Sequence, residues 1–198
     1  VEGLEHVPAG GALLAANHRS YLDPLAVGFA GGRLGRPVRF LAKKEVTDAP
    51  IVGPITTALG AIRVDREGPT EEARAAATAA LRAGELVAIF PQGTIPRGHA
   101  FFDPELQGRN GAVKLAADAD RPIVPVGIWG TERAWPRHKK VPYVMNLSEP
   151  PEVTIRFGEP CTPRPDSEGT ADLMDRIVDL LPPEARRPSV PTDAELAA

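Results

Sequence analysis

The sequence holds one cysteine, Cys161, so no internal disulfide can form and a reducing compartment suits the chain. Cys161 stands in the turn-like stretch Gly158-Glu159-Pro160-Cys161-Thr162-Pro163, with no histidine near it, and reads as a buried or inert thiol. Four scattered histidines beside a single cysteine make no metal-ligand spacing, so neither a zinc site nor another resident cofactor is expected. Long apolar runs are also missing. The longest, around Ile123 to Gly130, is far short of the roughly 20 residues that cross a bilayer. There is no signal-peptide pattern. Nor is there an excess of basic residues: the formal net charge is −3, which gives no global attraction for nucleic acid, so any anionic ligand must be met by local cations. What the chain does have is the composition of a globular domain. Its 198 residues are 42% hydrophobic and 25% charged, enough to bury a real core in one unit.

Short apolar runs alternate with helical stretches. Ala12 to Ala16, Val38 to Ala42, Leu86 to Phe90 and Ile123 to Ile128 read as buried strands, with Ala61 to Arg66 and Val153 to Phe157 as further strands. Helices are expected from Pro24 to Ala30, ending at Gly31-Gly32, and between Pro50 and Leu59. Others are expected from Thr70 to Ala83, from Gly111 to Asp118 and from Ala171 to Leu181. The helix beginning at Thr70 has the fullest signature: Pro69 at its start, Glu71 and Glu72 in its first turn, an alanine-rich body and Gly84 past its end. Val1 to Gly10 reads as a short strand and turn, and the stretch from Gly93 to Gly108 as a polar loop. The pattern predicts an α/β fold: one domain over 1–181, with a mixed central sheet flanked by helices. A Pro-rich, poorly ordered tail is expected over 182–198. The start at Val1, a few residues ahead of the first strand, reads as the loss of an upstream segment.

The chemistry gathers where strands end. After the first strand come His18 and, five positions on, Asp23, followed by Pro24. On a regular helix that spacing rotates the pair apart by roughly 140° and separates them by about 7.5 Å, so they meet only across a tight loop. Asp23-Pro24 suggests such a loop, with Asp23 as helix N-cap and Pro24 at the first helical position. The stretch then reads either as a His–Asp general-base dyad or as a surface histidine ahead of an ordinary cap. The second and third strands lead to Lys43, Lys44, Arg63 and Arg66, and the fourth to Gln92, Gly93, Thr94 and Arg97. In open α/β sheets active residues lie beyond the carboxyl ends of strands, which puts the expected groove there. A histidine base facing cations beside a glycine-bearing loop suits a substrate with a hydroxyl to deprotonate and a phosphate to hold. Lys44 and Arg63 read as ordinary solvated charges.

Four stretches in order, Asn17 to Asp23, Gly60 to Arg66, Phe90 to Thr94 with Arg97, and Ile123 to Gly127, resemble the conserved blocks of the glycerolipid acyltransferases. Within that family they resemble the 1-acyl-glycerol-3-phosphate (lysophosphatidic acid) acyltransferases, over about Val1 to Pro160. The resemblance implies that His18 takes a proton from an acceptor hydroxyl, with Asp23 orienting the ring. The oxygen would then attack the thioester of acyl-CoA or acyl carrier protein. It also implies Lys43, Arg66 and Arg97 near the acceptor phosphate, with Gln92, Gly93 and Thr94 lining the substrate site and backbone N–H groups around Gly93 as oxyanion donors. The product would be phosphatidic acid in phospholipid biosynthesis. Two positions depart from the family's Phe-Pro-Glu-Gly-Thr-Arg: Gln92 replaces the glutamate and Ile95 the arginine. Gln92 keeps hydrogen bonding and loses charge; Ile95 removes one phosphate ligand. Other readings are the same chemistry on glycerol-3-phosphate, another lysophospholipid or a glycolipid, a catalytically silent lipid-binding domain, and a thioesterase-like hydrolase.

A lysophospholipid acceptor implies a membrane surface as partner, at the cytoplasmic face, with peripheral attachment or an anchor outside the chain. Trp129, Trp135 and the run Arg133, Arg137, His138, Lys139, Lys140 are candidates for an interfacial patch, with Phe101-Phe102 adding apolar insertion.

Overall fold

The computed structural model describes residues 1–43, 60–64, 71–136, 139, 150–187, 191–192 and 196. Its centre is strand β1 (Ala12–Ala16), whose five residues are all buried. Such a run is apolar on both faces because both faces are covered. On either side of β1 lie β4 (Leu86–Ile89) and β5 (Ile123–Trp129), both parallel to it. β2 (Val38–Lys43) pairs with β4, and β3 (Ile62–Val64) with β2, again parallel. β6 (Thr154–Phe157) runs antiparallel to β5 at the other edge. Among the described residues the order is β3-β2-β4-β1-β5-β6, the mixed sheet that the sequence predicts.

Helices cover both faces. On one, α2 (Glu71–Arg82), α4 (Gly111–Ala119) and α6 (Ser167–Asp179) press Ala77, Leu81, Val113, Ala116, Leu173 and Ile177 against Leu13, Val87 and Ile123. On the other, α1 (Asp23–Arg33) packs Val27 and Ala30 with Leu14, Phe40, Val124 and Val126. The connection leaving β1 therefore passes over one face through α1, and the connection leaving β4 passes over the other through α4. Adjacent parallel strands whose connections part in this way leave a crevice at their carboxyl ends, where ligands bind. Residues 17–23 and 90–94 stand at that crevice.

Several boundaries differ from those expected. α1 continues through Gly31-Gly32 to Arg33. Gly31 is there for close packing, since a Cβ on it would lie 2.5 Å from Val38 Cγ2. The stop comes at Gly35, φ +66°, where Gly35 N–H donates to Gly32 O and Arg36 N–H to Gly31 O. This is the Schellman closure that glycine favours. α6 begins at Ser167, four residues early, because the Asp166 carboxylate accepts from Gly169 N–H at 2.8 Å and caps the helix. The first ten residues hold a 3₁₀ turn, Leu4–His6, and a single bridge from Glu2 to Arg156 instead of a strand. The loop after β4 contains a short helix, α3 (His99–Phe102), and another, α5 (Thr131–Ala134), follows β5. The helix expected between Pro50 and Leu59 lies outside the described residues, as do Asp65 and Arg66 from the strand expected at Ala61 to Arg66. Another 3₁₀ turn, Pro183–Arg186, follows α6.

Candidate active site

Beyond β1 the chain turns sharply, and Asn17 holds that turn to the sheet. Its amide donates to Ile128 O at 2.8 Å and accepts from Ile128 N–H at 2.7 Å, extending the β1–β5 ladder by a side chain. The next residues wrap around one carboxylate. Asp23, fully buried, accepts from Arg19 N–H at 2.6 Å, Ser20 N–H at 2.8 Å and the Thr131 hydroxyl at 2.5 Å. His18 Nδ1 lies 2.8 Å from the same Oδ2 that takes the two backbone donors. With Nδ1–H directed at Asp23, the lone pair sits on Nε2, as a general base requires. A buried carboxylate needs this number of donors to offset its lost hydration.

This corrects one expectation. Asp23 does not cap α1: the cap position falls at Leu22 and no side-chain cap bond forms there. The carboxylate points back into the loop, which is how a five-residue spacing brings it to the histidine. Ser20 completes the turn, accepting from Leu22 N–H at 3.1 Å and donating to Trp135 O at 2.7 Å.

The neighbouring strand end fixes the histidine from the other side. Gln92 Oε1 accepts from His18 N–H at 2.7 Å, and the Phe90 ring stacks on the imidazole, centroids 4.3 Å apart and planes at 21°. A carbonyl oxygen is sufficient for that contact. The amide at position 92 therefore does the positioning work without a negative charge.

Gly93, φ +74°, closes a turn by donating its N–H to Phe90 O at 2.9 Å. Thr94 and Arg97 are exposed on the loop that follows, whereas Ile95 is buried. Lys43 ends β2 with its backbone in register with Val64; its side chain and the whole of Arg66 lie outside the described residues. The structure thus brings His18, Asp23 and Gln92 together. It adds Asn17, Ser20 and Thr131, which the sequence reading assigned no role. Thr131 had one available signal, a hydroxyl two residues past a buried strand. The contact itself depends on β5 lying beside β1.

Arg19 forms a second layer. Its guanidinium lies between two rings, 4.2 Å from the Phe101 centroid and 4.5 Å from the Trp129 centroid, with Nη1 donating to Phe101 O at 3.3 Å. Glu132 Oε1 is 3.4 Å from Nε, an ion pair without hydrogen-bond alignment. Burial lowers the Arg19 pKa from its ordinary value, while Glu132 and then Asp23 oppose that shift. Phe101 and Trp129, candidates for the interfacial patch, form the walls of this clamp. A cavity of ≈ 290 Å³ opens on the other face beside Leu41, Ile89 and Leu115, and neither His18 nor Asp23 lines it.

An acyltransferase family model matches residues 1–129, and the chain belongs to the acyltransferase family. It is 29% identical over 147 residues to the 1-acyl-sn-glycerol-3-phosphate acyltransferase of Bacillus subtilis, covering 74% of this chain and 70% of that one. It is 37% identical over 145 residues to an uncharacterized protein of Mycobacterium leprae, covering 69% of this chain. The chain spans only 37% of that relative's length. Its fold matches the crystal structure of the 1-acyl-sn-glycerophosphate (LPA) acyltransferase PlsC from Thermotoga maritima, with TM-score 0.66 and 25% identity, covering 90% of this chain and 68% of that one.

Proposed function

We propose that this chain moves a fatty acyl group from a thioester, acyl-CoA or acyl carrier protein, to the free hydroxyl of 1-acyl-glycerol-3-phosphate, making phosphatidic acid for phospholipid synthesis. The observation that carries the reading is the 2.8 Å contact from His18 Nδ1 to an Asp23 carboxylate that also accepts three other donors. His18 Nε2 takes the hydroxyl proton as the acceptor oxygen attacks the thioester carbonyl. The tetrahedral intermediate then expels the thiolate, which recovers the proton from the imidazolium. Asp23 holds the ring in the tautomer that keeps Nε2 free and stabilises the imidazolium between the two steps. Such proton transfer contributes roughly 10²–10⁴-fold in rate. Thiolates leave readily, so the step needs neither a covalent intermediate nor an added cofactor.

Lys43, Arg66 and Arg97 take the acceptor phosphate in this reading, each through a charge-assisted hydrogen bond of about 1.5–3 kcal/mol. The acceptor sits in a leaflet, which makes the cytoplasmic membrane surface the working partner. Among the described residues no helix is long and apolar enough to cross a membrane. The likeness to the Bacillus and Thermotoga enzymes supports the choice of acceptor.

The test is thiol release from acyl-CoA in the presence of lysophosphatidic acid, of glycerol 3-phosphate, and of no acceptor. Release that depends on lysophosphatidic acid is the expected result. Equal release without acceptor makes the protein a thioesterase, and release with glycerol 3-phosphate alone reassigns the acceptor.

A further inference from the structure

α1 is apolar on its inner side and carries large exposed apolar residues on its outer side as well. Val27 and Ala30 are buried against the sheet. Leu25 and Phe29, four residues apart and on the same outer flank, are 43% and 61% exposed. Tyr21, four residues ahead in the catalytic turn, is 51% exposed. These three account for most of the large exposed hydrophobic side chains among the described residues; the other two, Val1 and Val153, lie elsewhere in the chain. A contiguous apolar flank of this kind marks a contact surface.

The exposed charges beside it are basic, and the carboxylates nearby, Asp23 and Glu132, are turned inward onto His18 and Arg19. From Pro24 to Leu34 there is no acidic residue, and Arg33 is exposed near the helix end. Tyr21 meets the Trp135 ring edge-on, centroids 5.7 Å apart, and Trp135 Nε1 donates to Lys139 O at 3.0 Å. Arg133 and Lys139 are both exposed beside that aromatic pair. The sequence from Arg133 to Lys140 contains Arg133, Arg137, His138, Lys139 and Lys140 with no acidic residue.

We propose that the outer flank of α1, formed by Tyr21, Leu25 and Phe29 and bordered by Trp135 with Arg133 and Lys139, is the surface by which this protein docks on an anionic phospholipid bilayer. Apolar side chains bordered by exposed cations match the interfacial region of such a membrane, where rings and aliphatic chains enter while cations meet headgroups. α1 is about 16 Å long and would lie in the membrane plane. Its first residue is Asp23, so docking along this flank sets the histidine loop beside the leaflet that holds a lipid acceptor. The inference rests on the proposed lipid acceptor for its purpose and on the exposed flank for its location.

The experiment sediments the chain with vesicles of phosphatidylcholine alone and of phosphatidylcholine with phosphatidylglycerol, for the wild type and for Leu25→Gln/Phe29→Gln. The wild type binds the mixed vesicles more tightly than the neutral ones, and the double variant loses about tenfold or more in partition. Transfer to a soluble short-chain lysophosphatidic acid is unchanged in the variant, while transfer to acceptor embedded in vesicles falls. Equal partition of variant and wild type overturns the proposal, as does a wild type that binds neither vesicle. A double variant that turns a dimer into a monomer with vesicle binding intact makes the flank a contact between copies of the chain. Vesicle binding lost in the variant, from a wild type that transfers no acyl group, leaves the docking surface standing and removes the proposed reaction.

Discussion

The two faces of the sheet are alike inside and unlike outside. Inward, α2, α4 and α6 present alanine, leucine, valine and isoleucine, and α1 presents valine and alanine, so the buried sides do not tell the faces apart. Outward, the three-helix face carries Glu71, Glu72, Asp118, Glu168, Asp172 and Asp175, exposed and partly paired with Arg74, Arg164 and Arg176. The outer side of α1 carries Leu25 and Phe29 and no acidic residue. A helix needs only one apolar stripe to fold onto a sheet, and a second stripe calls for a second partner. α1 also begins with the carboxylate that holds His18. In the proposed reading, chemistry and contact share one helix, while the opposite face supplies stability.

The sharpest way to break that division is Asp23→Asn, which keeps the volume and removes the charge. An amide cannot both accept from the loop N–H groups and stabilise an imidazolium, so acyl transfer is expected to fall by about 10³-fold or more. Steady-state thiol release measures it, with thermal unfolding to show that the fold survives. On the other face, Leu173→Ala opens space in a fully buried position and is expected to cost about 2–5 kcal/mol in denaturant unfolding. Acyl transfer per folded molecule and vesicle partition should stay as in the wild type. A large change in either would erase the division between the faces.

Gln92 sharpens it further. Gln92→Leu leaves the His18 N–H without its acceptor, a loss of about 1–3 kcal/mol, and kcat is expected to fall roughly tenfold with KM little changed. Gln92→Glu keeps an acceptor oxygen, so its kcat should stay within about twofold. The smallest effect belongs to Cys161, half-buried against Ile123, where desolvation raises the thiol pKa. The neutral thiol is therefore favoured at pH 8. Alkylation there should be slower than for a free thiol, and Cys161→Ser should leave acyl transfer intact.

How much of this could be read in advance depends on how local each cause is. β1, β4 and β5 announce themselves as short continuous apolar runs, and α2 by proline, glutamates, alanines and a final glycine. His18, Asp23 and Gln92 stand where the strand ends predict. The partners that complete the site were not legible. Thr131 lies 108 residues from Asp23, and only the placement of β5 beside β1 brings its hydroxyl to the carboxylate. Asn17 is bonded to Ile128 for the same reason. Local signals also misled in two places. Gly31-Gly32 looks like a helix end, yet Gly31 is small because Val38 is close. Asp23 before Pro24 looks like a cap, yet its carboxylate is claimed by the residues preceding it.

The proposed reaction depends most directly on His18. In His18→Ala, with an unfolding transition like that of the wild type, lysophosphatidic acid-dependent thiol release from acyl-CoA is expected to drop by about 10²–10⁴-fold. A variant that keeps a tenth or more of the wild-type rate would contradict it, because the base would then lie elsewhere than at the end of β1.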